Sequence, residues 1–142
     1  FKFTKAILND QPINVFNNGK HSRDFTYIDD IVKGIISAID SPPEKNELWS
    51  GDSPDASSSF SPYKIYNIGN GNPVSLMEFI KLIEKELQKD AKINYLPLQI
   101  GDVPETHADV SQISNALGYS SSTPAKIGVK KFIEWYKEYY KV

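Results

Sequence analysis

Three stretches of this chain carry apolar residues at helical spacing, and short β-branched or aromatic runs with strand character alternate with them. That alternation confines the chain to a layered α/β arrangement rather than a bundle, a sandwich or a repeat array. The first helical stretch is Ile31, Val32, Ile35, Ile36 and Ile39, preceded by Asp29 and Asp30 where a helix dipole favours acids. The second is Leu76, Phe79, Ile80, Ile83 and Leu87, opened by the capping box Ser75-Leu76-Met77-Glu78. The third follows Thr123-Pro124 and places Ile127, Phe132, Ile133, Tyr136 and Tyr140 inward. Phe1 to Leu8 reads as the end of a further helix, and Asp109 is expected to cap a short one running through Leu117 and stopping at Gly118. Ile13–Phe16, Arg23–Tyr27, Tyr63–Ile68 and Ile93–Leu96 read as strands, the first two joined as a hairpin through Asn17-Asn18-Gly19-Lys20. Residues 41–62, with Pro42, Pro43, Pro54, Pro62 and a serine run, predict a long surface loop.

Composition removes several function classes. A length of 142 residues fits one domain, and 39% hydrophobic with 24% charged residues is an ordinary globular mixture. A net charge of -2 offers no general attraction for nucleic acid or an anionic membrane. No apolar run approaches the roughly 20 residues of a membrane span, and no signal-peptide pattern opens the chain, so a cytoplasmic protein is expected. The absence of cysteine excludes disulfides, thiol catalysis and thiolate metal sites. The chain starts at Phe1 inside a helical pattern and without Met, which reads as a fragment.

Arg23 is the one arginine among 16 basic residues. A planar, permanently charged fork suits a diphosphate better than a mobile ammonium does; the competing reading is a structural ion pair with Asp24 or Asp29. Gly69-Asn70-Gly71 lies between strand and helix signals, but Val74 stands where a dinucleotide fingerprint needs glycine, so a tight turn is predicted. His21 and His107 have no metal-ligand spacing, and no Ser/His/Asp arrangement is evident.

Taken together, Phe16-x-x-Gly19-Lys20-x-x-Arg23-Asp24-Phe25-Thr26-Tyr27-Ile28-Asp29-Asp30, Tyr66-Asn67-Ile68-Gly69-Asn70 and Gly101-Asp102-Val103-Pro104-Glu105-Thr106-x-Ala108-Asp109 form a longer pattern. It resembles the C-terminal half of extended short-chain dehydrogenase/reductases acting on nucleotide sugars, and within them the UDP-glucuronate 4-epimerase branch. The resemblance implies the substrate-binding portion of an extended Rossmann-type fold, a small mixed sheet with helices, forming one unit over residues 1–142. It also implies an NAD-dependent isomerase that oxidises the sugar at C4, turns the 4-keto intermediate over and reduces its other face. The catalytic Tyr-x-x-x-Lys pair is absent here: Tyr27, Tyr63, Tyr66 and Tyr136 all lack a lysine four positions on. Catalytic and NAD-binding parts are therefore expected upstream, and the chain alone is expected to be inactive.

Carried over by resemblance, Arg23 becomes the pyrophosphate anchor, and Asn14, Val15 and Phe16 the strand beside the uracil, with an aromatic face over the base. Phe25, two residues from Arg23, would project on the same side of a strand. Asp102 would accept from ribose hydroxyls or hold Arg23, or else simply cap a turn. Gln99 stands where relatives often place a second arginine, a departure that favours the uronate epimerases over dehydratases or decarboxylases. Ile100 and His107 also depart from the usual Pro and Tyr, and Thr106 is implied at the sugar end of the pocket. A different enzyme of the same family and a standalone nucleotide-sugar-binding module are the other readings. No nucleic acid or membrane partner is expected; the parent is expected to be a homodimer, and the fragment to self-associate through an open strand edge at 63–68 and an uncovered isoleucine stripe.

Overall fold

A computed structural model describes residues 1–142. The helices are α1 (Lys2–Leu8), α2 (Ile28–Asp40), α3 (Leu76–Leu87), α4 (Ser111–Leu117) and α5 (Ala125–Tyr140). The strands are β1 (Ile13–Val15), β2 (Ser22–Arg23), β3 (Val74–Ser75) and β4 (Ile93–Tyr95). They form two small sheets: β1 and β4 run parallel, and β2 and β3 antiparallel.

One core organises the molecule. Ile7 of α1, Ile13 and Val15 of β1, Ile80, Ile83 and Leu87 of α3, and Val129 and Ile133 of α5 are buried against one another. The period-two burial of Ile13 and Val15 puts one face of β1 on the helices and leaves Asn14 outward. α3 behaves as its pattern predicts: Ser75 Oγ accepts from the Glu78 N–H at 3.1 Å, closing the N-terminus, and Gln88 ends the helix in the left-handed conformation. α4 stops at Gly118, φ 65°, as expected. Asp109 sits one residue before the α4 cap, where its Oδ1 accepts from the Ser111 N–H at 2.9 Å.

The hairpin between residues 13 and 27 does not form. Asn17, Asn18 and Gly19 take positive φ in succession (52°, 50° and 79°), so the chain coils through a short turn instead of folding back on β1. β1 takes β4 as its neighbour, with Ile13 N–H donating to Lys92 O and Leu96 N–H to Val15 O. The predicted strand 23–27 shrinks to Ser22–Arg23, because Phe25 N–H turns back onto Arg23 O. Tyr63–Ile68 is extended but is not a strand; its only ladder contact is Lys64 with Ser58. Residues 41–62 do form a loop, organised around Asp55, which accepts from Ser57 and Ser58.

Two inward assignments also change. Ile127 and Tyr140 of α5 are exposed, and Val129 takes the inner position. The isoleucine stripe of α2 is uncovered, as expected for this chain alone: Val32, Ile35, Ile36 and Ile39 are exposed, whereas Asp30 and Gly34 are buried. A Cβ on Gly34 would stand 3.2 Å from the Tyr119 ring and 3.1 Å from Ile68, so α2 docks through a glycine that lets an aromatic ring approach its backbone.

Candidate functional site

The segment His21–Arg23 is clamped on both sides. Leu76 N–H donates to His21 O at 2.8 Å, Ser22 N–H donates to Pro104 O at 2.9 Å, and Thr106 N–H donates to Ser22 O at 3.2 Å. β3 thus lies on one flank of β2 and residues 104–106 on the other, in parallel register through Ser22 and Glu105. This places Arg23 beside the Gly101-Asp102 turn, where Gly101 takes φ 86°.

The Arg23 guanidinium is fixed along part of its edge. Nη1–H groups donate to Ser22 O at 2.9 Å and Pro104 O at 3.0 Å, and Nη2–H donates to Asp102 Oδ1 at 3.0 Å. A guanidinium carries five N–H donors, so the Nε–H and one Nη2–H remain without an acceptor in this chain. The partner is Asp102, and neither Asp24 nor Asp29 pairs with Arg23. On its other side Asp102 faces His21, whose Nε2 lies 3.4 Å from Oδ2.

Asp24, next along the chain, holds the surrounding loops. Its Oδ2 accepts from Gly71 N–H at 3.0 Å and Ala108 N–H at 3.1 Å, while its own N–H donates to Thr106 Oγ1 at 3.3 Å. Gly69 makes this junction possible, since a Cβ there would lie 2.3 Å from the Ala108 Cβ. Asp24, Thr26, Tyr66, Asn67, Thr106 and His107 border a polar recess of about 420 Å³ beside it.

Asp30 is fully buried at the α2 N-terminus and accepts from Ser121 Oγ, Ser122 N–H and Thr123 N–H, with Lys33 Nζ at 3.2 Å. Burial opposes its ionisation, but the hydrogen bonds from Thr123, Lys33 and Ser121 outweigh that and lower its pKa from 3.8 to about 2. Tyr119 is shifted upward by burial and then by the Asp30 and Asp24 charges; its hydroxyl donates to Gly69 O at 2.8 Å. Asp109 is held below the usual carboxylate range mainly by its bonds from Ser111.

The residues singled out by sequence fall into three groups. Arg23, Asp102 and Thr106 come together around β2, and Gln99 reaches them only through its backbone, its carbonyl accepting from Asp102 N–H at 3.2 Å. Asn14 and Val15 lie on β1, and Phe16 opens the turn after it rather than continuing the strand; Val15 is fully buried, and Asn14 Oδ1 accepts from Asn94 Nδ2 at 3.0 Å. Phe25 leaves the Arg23 side and stacks on Phe79, ring centroids 3.8 Å apart, at an apolar cavity of about 300 Å³ near the α5 N-terminus. Sequence reasoning passed over Asp24 as a junction and considered His21 only as a metal ligand. Their signal was position, flanking the lone arginine on either side.

These residues do not fit NAD. The Gly69-Asn70-Gly71 turn spends its Gly71 N–H on Asp24, and that carboxylate, 3.0 Å away, would repel a pyrophosphate. No cluster of His, Cys, Asp or Glu is arranged to hold a metal ion, and no helix is long and apolar enough to cross a membrane.

Comparison with known proteins agrees with this architecture. Residues 1–69 match the NAD dependent epimerase/dehydratase family. The chain is 53% identical over 141 residues to Protein CapI of Staphylococcus aureus, covering 99% of this chain and 42% of that one. It is 40% identical over 142 residues to a probable UDP-glucuronate 4-epimerase of Rhizobium meliloti, covering 99% and 42% respectively. The crystal structure of UDP-glucuronic acid 4-epimerase from Bacillus cereus, in complex with UDP-glucuronic acid and NAD, superimposes with a TM-score of 0.75 at 28% identity, over 97% of this chain and 39% of that one. The chain therefore spans about two fifths of the length of these relatives. On its motif order, its fold and this likeness along its whole length, the chain is similar to nucleotide-sugar epimerases, and its residues 1–69 match the NAD dependent epimerase/dehydratase family.

Proposed function

We propose that this chain is the substrate-binding part of an NAD-dependent nucleotide-sugar 4-epimerase acting on UDP-glucuronate. The observation that carries the reading is the Arg23 fork: three of its donors are held by Ser22 O, Pro104 O and Asp102, leaving two in fixed orientation for an anion. A pinned guanidinium loses less freedom on taking up a diphosphate than a mobile lysine would. Thr106 borders the polar recess next to Arg23 and is assigned to the sugar end. Asn14, Val15 and Phe16 are assigned to the uracil, Val15 through its backbone only since its side chain is buried. Gln99 is assigned a neutral contact on the outer phosphate and Asp102 the support of Arg23, while Phe25, stacked on Phe79 away from Arg23, is given no substrate contact.

Residues 1–142 act in this reading as one unit with a surface loop at 41–62. The hydride chemistry and the Tyr-x-x-x-Lys pair belong to a part of the parent outside these residues, and the parent is a cytoplasmic homodimer. In the full-length protein, Arg23→Ala is expected to lower kcat/KM for UDP-glucuronate by about ten- to hundredfold, the worth of a charged hydrogen bond. Arg23→Lys should recover part of that, and unchanged kinetics in Arg23→Ala would overturn the reading. The isolated 142-residue chain with added NAD should show no turnover. Sedimentation equilibrium should find it self-associated, with the exposed isoleucines of α2 covered.

A further inference from the structure

His21 is buried, only 5% exposed, yet its Nε2 has no hydrogen-bond partner. Buried polar nitrogens without partners are uncommon and call for an explanation. The nearest acceptor is Asp102 Oδ2 at 3.4 Å, within ion-pair reach but outside hydrogen-bond alignment. The same carboxylate uses Oδ1 to accept from Arg23 Nη2 at 3.0 Å. The three side chains therefore form one chain of contacts with Asp102 in the middle: His21, 4% exposed, on its buried side, and Arg23, 25% exposed, on the other. The backbone of His21 cannot drift, because its carbonyl is tied to Leu76 at the start of α3.

We propose that His21 is a positioning residue for nucleotide-sugar binding, backing Asp102 so that the carboxylate holds the Arg23 fork at the angle a diphosphate needs. The proposal rests on the reading of Arg23 as the diphosphate anchor. Asp102 sits on a loop after Gly101 and has no other side-chain partner than these two. Without His21 the carboxylate has one neighbour fewer to choose its rotamer, and a swing of Asp102 would release Nη2. A small movement of Oδ2 towards Nε2 when a ligand draws on the other Arg23 donors would also complete the bond that His21 lacks.

The test uses the full-length protein and UDP as the probe, so that binding is read without the hydride step. His21→Met removes the ring donor at similar size, and His21→Gln keeps a donor. Calorimetry should show UDP bound about three- to tenfold more weakly by His21→Met, the range for side chains sharing one network, with His21→Gln closer to the parent. In an Arg23→Ala background, His21→Met should cost nothing further. Equal losses in both backgrounds, or no loss with Arg23 present, would overturn the proposal. If Arg23→Ala does not weaken UDP binding, the anchor reading fails by itself. His21 is then judged by NMR of the Arg23 guanidinium, where Cζ–Nη rotation should quicken in His21→Met and slow again in His21→Gln; unchanged rotation refutes the role. Should His21→Met not fold, His21→Leu takes its place in both measurements.

Discussion

α2 and α3 carry similar apolar stripes, yet the chain buries only one of them. In α3, Ile80, Ile83 and Leu87 enter the core between α1, β1 and α5. In α2, Val32, Ile35, Ile36 and Ile39 face outward, and the helix is held by Asp30 and Gly34 on a different face. The contrast teaches that a helical apolar period identifies a face and its phase but not what covers it. α3 found β1 and α5 within the chain; α2 was anchored by a hydrogen-bonded carboxylate and a close aromatic contact.

The sharpest way to break the comparison is to truncate both helices. Ile80→Ala, at a fully buried site, should cost about 2–5 kcal/mol of stability by denaturant unfolding. A loss below about 1 kcal/mol would mean that α3 is not the centre of the core.

Asp30→Asn tests whether α2 is held by its carboxylate. The change should cost about 3 kcal/mol, since the donors of Ser121, Ser122 and Thr123 converge on that group. The sign with pH follows from the folded value of about 2 against 3.8. Because the folded pKa is depressed, the contribution of Asp30 is fully present above pH 3.8 and is lost as the pH falls towards 2. Denaturation midpoints measured across that interval should fall less steeply in Asp30→Asn than in the parent.

Gly69→Ala probes the junction that Asp24 makes beside Arg23. The added methyl would meet the Ala108 Cβ at 2.3 Å and Asp24 Oδ2 at 2.9 Å, so it should cost about 2 kcal/mol by overpacking. An unchanged melting profile would show that the 106–108 loop yields freely.

Ile36→Ala should have the smallest effect, within about 0.5 kcal/mol when the chain is diluted until it is monomeric, because the side chain is then 52% exposed. In the longer parent the same substitution should cost several times more if the stripe is covered there. Equal small losses in both would leave the stripe without a structural role.

Much of the local structure was legible from residue order. The Ser75/Glu78 box and the glycine after Leu117 mark helix ends because their signals involve neighbours three or four positions apart. The hairpin was misread because three successive positive-φ residues can either close a tight turn or coil the chain away, and only the competing β1–β4 pairing across about 80 residues decides. Strand 63–68 failed for a related reason: aromatic and β-branched residues favour extension, but a strand needs a partner, and this chain supplies one bridge.

The lone arginine and its flanking motif mark Arg23 from the residues alone, since a fork with fixed charge is a property of one residue. The Asp102 contact, 79 residues away, is one of three roles the sequence allows; the tertiary fold places Asp102 on Arg23, turns Phe25 onto Phe79, and brings His21 against the same carboxylate. Composition and spacing determined the helices, most of their ends and the charge that matters, because those depend on chemistry within a few residues. Which faces were covered, which loops met and which donors were left free depended on contacts between distant segments, and no local pattern encodes those distances.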